Sequence, residues 1–161
     1  MNVIVRMTVT KSLLGEGSGS NTLELMSACL FIVVEGEDPG FDIFVNGQAL
    51  ARNEDALERL AAGLNVSPLL SFLCADEEAV AALRVNGSAQ GDGLAIHPQS
   101  RWFDPLDGLL TVQILLNHLD YAPSSLGSET AAVFLELREY ERVLRKTVER
   151  GLQWRLELNQ D

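Results

Sequence analysis

The chain has 161 residues, 23 Asp and Glu against 12 Lys and Arg, a formal net charge of −11, and two cysteines. A chain of that length buries about 68–70% of its unfolded surface as one unit, so a single globular domain over residues 1–161 is expected. With 47% hydrophobic and 22% charged residues, the composition excludes wholesale disorder. The longest apolar stretch, Leu25 to Val34, spans ten residues, against the ~20 that a membrane-spanning helix needs. The opening MNVIVRMTVT alternates in polarity and shows no secretory signal, so a soluble, cytoplasmic protein is expected.

In chain order, Val3, Val5, Met7 and Val9 share one face of a period-two segment, which predicts a strand. Gly15 to Asn21 (GEGSGSN) reads as a loop. Ala28 to Val34 reads as a buried strand and Phe41 to Val45 as another. The turn EGEDPG, Glu35 to Gly40, joins them as a hairpin, and Asn46-Gly47 marks the next turn. Asn53 is placed to cap a helix carrying Leu57, Leu60, Ala61 and Leu64, with Glu54 and Asp55 near its positive end. Ser67-Pro68 opens a short apolar helix through Leu73. Asp76 opens another, which carries Val80 and Leu83 and stops at Asn86-Gly87. Asp104-Pro105 repeats the cap-plus-proline signal for a helix to about Leu119. The longest helix is expected over Glu129 to Arg150, capped by Ser128 and ended by Gly151. Leu152, Trp154, Leu156 and Leu158 then share one face of a final strand.

Strands at both ends with helices clustered between them predict an α+β fold. Its sheet is expected to be mixed or antiparallel, holding the N- and C-terminal strands in one layer. That layer packs on several helices, two of them long.

The charge is unevenly placed: residues 1–135 hold 17 acidic and 6 basic side chains, whereas 136–161 hold 6 of each. A body of that sign repels phosphate backbones, so nucleic acid is not an expected partner, and neither is a membrane. Cys29 and Cys74 each stand alone in apolar runs and read as core hydrophobes without zinc-type spacing. Gly15, Gly17 and Gly19 give G-x-G-x-G and not the dinucleotide pattern, so no cofactor is expected. No metal is expected either, since the two histidines have no paired-ligand spacing.

If the chain is an enzyme, its candidate acid–base groups are His97 and His118, with Asp104, Asp107 or Asp120 orienting one of them. Asp104 and Asp107 also have a capping role, and His118 suits a helix C-terminus. The helix holding Leu106, Leu109, Leu110, Val112, Ile114, Leu115, Leu116 and Leu119 is apolar on most sides. It is therefore expected to be deeply buried, with Gln113 tied to a neighbouring backbone. In RWFDP, Trp102 and Phe103 are candidate partner anchors or core residues. On the last helix, Arg138, Arg142, Arg145, Lys146 and Arg150 cluster opposite the stripe of Val133, Leu137, Tyr140, Leu144 and Val148. Trp102, Phe103, Arg138, Arg142 and Lys146 are the candidate interaction residues.

The expected function is that of a non-enzymatic interaction or accessory module binding another protein, or itself as a weak homodimer. A small hydrolase or transferase using a histidine–carboxylate pair is the alternative. Binding of a small ligand near Gly15–Asn21 is a further one.

Overall fold

The computed structural model describes residues 28–75 and 101–160. The predicted strand Val3–Val9, the loop Gly15–Asn21, the helix opening at Asp76 and His97 lie outside the described residues.

Two strands, β1 (Ala28–Val34) and β2 (Trp154–Gln160), form an antiparallel ladder in register from Ala28↔Gln160 to Val34↔Trp154. Alternation assigns their faces. Leu30, Ile32, Val34, Trp154 and Leu156 are all buried against the helices, while Cys29, Phe31, Val33, Arg155 and Glu157 occupy the other side. Among the described residues four helices lie between the strands: α1 (Gln48–Arg52), α2 (Glu54–Gly63), α3 (Pro105–Tyr121) and α4 (Thr130–Glu149). The fold is α+β, with α3 and α4, at 17 and 20 residues, as its two long helices.

A proline at N1 of α3 removes a backbone donor that would have no helical partner, and Asp104 Oδ1 accepts the Leu106 N–H at 2.9 Å. Gly108 lets α3 cross directly over the indole of Trp154, because a Cβ at that position would overlap the ring. The indole is fully buried, its Nε1–H donates to Asp104 O at 3.1 Å, and Phe72 packs on it at 5.0 Å. Tyr140 of α4 donates its hydroxyl to Leu30 O, fastening the longest helix to the middle of β1. Gly47 sits against the same carbonyl and donates none of its own space, since a Cβ there would overlap Leu30 O and the Tyr140 hydroxyl.

The hairpin expectation is corrected. The chain does reverse after β1, but Phe41–Val45 forms no strand, and β1 takes β2 as its partner instead. Local polar groups explain the difference. Asp42 Oδ1 captures the Phe44 N–H, and Asn46 Oδ1 captures the Gln48 N–H. Arg142 donates to the carbonyls of Asp42 and Phe44 at 2.9 and 3.3 Å. With those groups committed, the returning segment gives β1 a backbone bond at Leu30 N→Gly47 O.

Three boundary expectations also change. Asn53 does stand before α2, yet its side chain turns back, and Nδ2 donates to Ala49 O of α1. The segment after Pro68 is a 3-10 turn, Leu69–Phe72, because Leu73 and Cys74 are drawn to the outer edge of β2, where Cys74 N donates to Leu156 O. Ser128 does not cap α4: a 3-10 turn over Gly127–Glu129 precedes it, and Thr130 Oγ1 accepts the Leu126 N–H.

Candidate interaction surface

The carboxylates proposed for catalysis are separated from the described histidine. Asp104 caps α3, Asp107 lies exposed in its first turn, and His118 sits in its last. At 1.5 Å per residue, about 16 Å of helix lies between Asp107 and His118. Asp120 is two residues beyond His118 and projects about 200° away around the axis. His118 instead meets Ser125, with Nε2 and Oγ 3.3 Å apart. That contact does not activate the serine. Its hydroxyl proton goes to Ala122 O at 2.7 Å, so the imidazole N–H is the donor to Oγ, and the pair closes the turn after α3.

Other reactive groups are quiet. Cys74 is buried, donates Sγ–H to Arg101 O at 3.3 Å, and has its thiol pKa raised, chiefly by burial. Among the described residues, no three His, Cys, Asp or Glu side chains are grouped to hold a metal. A cavity of 10 Å³ bordered by Leu50, Glu54, Leu57 and Leu69 has room for one water. Sites for small organic ligands are larger, at about 300–1,000 Å³.

The candidate anchors in RWFDP are divided between two surroundings. Phe103 exchanges backbone bonds with Trp154 and meets Phe72 edge-on at 5.4 Å, so its ring belongs to the core wall. Trp102 is half-buried under the Arg155 guanidinium, 4.3 Å from its ring, and Arg155 in turn pairs with Glu157 at 2.9 Å. On α4, Arg142 is held by Glu139 at 3.0 Å and by the two loop carbonyls described above. Arg145 pairs with Glu141 at 3.1 Å. Arg138 and Lys146 are exposed and make no ion pair among the described residues.

Two features escape the sequence reading. The first is Glu136, buried on α4, whose carboxylate accepts the Ala49 and Leu50 N–H groups at 3.0 and 2.8 Å. Burial raises its pKa above the ordinary carboxyl value, opposed by those two hydrogen bonds and by Arg52. It fastens α1 to α4, and its 87-residue separation from Ala49 leaves no local signal.

The second is the outer side of α3. The expectation of deep burial is corrected: Leu106, Leu110 and Tyr121 are 56%, 55% and 90% exposed. Gln113 is half-buried, not tied into the core. The inner side is filled by Val112, Leu115, Leu116 and Leu119, so the helix is apolar on two faces and covered by the described residues on one. Its 17 residues include no lysine or arginine, and Asp107 and Asp120 border the open face.

No protein-family model, curated protein or solved structure matches this chain.

Proposed function

We propose that this chain is a non-enzymatic protein-interaction module, acting as an accessory or regulatory partner. The observation that carries the reading is the open face of α3, where Leu106, Leu110 and Tyr121 stand exposed along one helix. Apolar surface gathered on one element, bordered by polar groups, favours association with another protein. The acidic charge of −11 disfavours nucleic acid as that partner. Among the described residues, no helix is long and apolar enough to cross a membrane. A cytoplasmic setting is part of the reading, supported by Cys29 and Cys74 forming no disulfide.

A photo-crosslinking residue placed at Leu110 tests it in living cells, with the same residue at exposed Arg59 on α2 as the comparison. Discrete protein adducts at Leu110 and not at Arg59 are expected. Absence of adducts at Leu110, or the same adducts at both positions, would overturn the reading. Changing His118 to Gln should leave the adducts unaltered.

A further inference from the structure

Resting on that reading, we infer that the partner of the α3 face is an amphipathic helix of another protein, with a cation on each flank of its apolar stripe. At 100° per residue, Leu106, Leu110 and Tyr121 fall within about 60° of one another around α3. Asn117 is exposed among them, and Ile114 is half-buried beside Tyr121. A carboxylate stands past each edge of this band. Asp107 lies about 40° beyond Tyr121, and Asp120 about 40° before Leu106. An apolar centre inside a charged rim is the anatomy of a protein interface.

Charge fixes the sign of the partner. On α4, Glu139 and Glu141 are paired with Arg142 and Arg145 of their own helix. On α3, Asp107 and Asp120 are exposed, and neither carboxylate has an ion pair or a hydrogen bond among the described residues. No lysine or arginine on α3 supplies one. Cations on the partner complement both carboxylates, and the net charge of −11 steers such a segment inward. A second copy fits less well. Two α3 helices face to face would set four carboxylates together with no lysine or arginine on either helix.

The spacing sets the partner's form. A helix of 17 residues is about 25 Å long, and about 20 Å of it separates Asp107 from Asp120. The partner's cations are therefore about that far apart, on opposite flanks, with apolar side chains between them. A helix presents apolar side chains at every third or fourth residue, the spacing at which Leu106 and Leu110 stand.

Fluorescence anisotropy of the full chain with three labelled helical peptides tests this. One carries a leucine stripe flanked by lysines, and one the same stripe flanked by glutamates. The last has the lysine peptide's composition in an order that forms no stripe. The lysine-flanked peptide is expected to bind at least tenfold more tightly than the other two. Leu110→Asn should weaken that binding at least tenfold with thermal melting unchanged. Asp107→Asn with Asp120→Asn should weaken it several-fold at low salt and less at high salt. Glu37→Gln with Asp38→Asn, an equal charge change in the loop after β1, should leave it unaltered. Equal binding of either other peptide, indifference to the α3 changes, or no binding at all would overturn the inference. If Leu110 nevertheless crosslinks in cells to a segment that is not cationic, the interaction reading stands and this partner chemistry falls. A Leu110→Asn chain that melts far below wild type overturns both, because the face is then covered by its own chain.

Discussion

The two long helices solve the same packing problem on their inner sides and part company on their outer ones. Helix α4 places Val133, Leu137, Tyr140 and Leu144 inward and gives its buried polar groups partners: Glu136 holds α1, Tyr140 holds β1, and Thr147 Oγ1 donates to Val143 O. Its outer side is largely charged: Arg142 and Arg145 are paired, Arg138 and Lys146 make no ion pair among the described residues, and Leu135 is the exposed leucine there. Helix α3 buries Val112, Leu115 and Leu119 just as completely, yet shows leucines to solvent on the opposite side. One helix meets solvent mainly through charged side chains, with Leu135 exposed among them. The other carries apolar surface beyond what its own core uses, and that surplus is where a partner is to be sought.

The comparison breaks most visibly on the inner side of α4. Leu144→Ala should cost about 2–5 kcal/mol in urea unfolding, since the site is fully buried and the cavity cannot drain. Next comes Glu136→Ala, which leaves two buried N–H groups of α1 without acceptors. A loss of about 2–4 kcal/mol is expected, and hydrogen exchange should show α1 opening before α4 does.

Acidity sharpens the same contrast. Because the folded pKa of Glu136 lies above its unfolded value, the native state binds the extra proton. Its contribution is therefore most favourable below the ordinary carboxyl pKa and declines as pH rises through the folded value. Glu136→Gln should remove that part of the pH dependence, measured as the difference in unfolding free energy across the mildly acidic range. Smallest of all, Leu110→Ala on the open face should change monomer stability by less than about 0.5 kcal/mol at high dilution. A larger loss would mean that α3 is as enclosed as α4.

Where local chemistry decides local structure, the sequence was a good guide. Asp104-Pro105 starts α3 for the reason its residues suggest, and Trp154, Leu156 and Leu158 do alternate onto one face. Ala28–Val34 is the strand its apolar run implies. What periodicity does not carry is the identity of a partner. Phe41–Val45 is apolar as a buried strand would be, but Asp42, Asn46 and Arg142 take the backbone groups that a ladder needs. Helix α3 was misread for a related reason. Leucines on most sides imply burial only when something surrounds the helix, and pattern alone does not say whether that is the same chain or another. Of the candidate site, Arg138 and Lys146 were legible as exposed cations from their wheel positions. Glu136 was invisible, being one acidic residue among several on an amphipathic helix.

The ladder between β1 and β2 joins the two ends of the described chain, and even its nearest pair, Val34 with Trp154, encloses the four described helices. Such contacts close late, whereas α3 and α4 are neighbours in sequence and can dock early. A chain emerging from the ribosome thus carries β1 without its mate until the residues of β2 have been made. Through that interval Leu30, Ile32 and Val34 lack the β2 residues they pair with in the fold. A strand that the finished ladder pairs is thus, during synthesis, an edge open to aggregation.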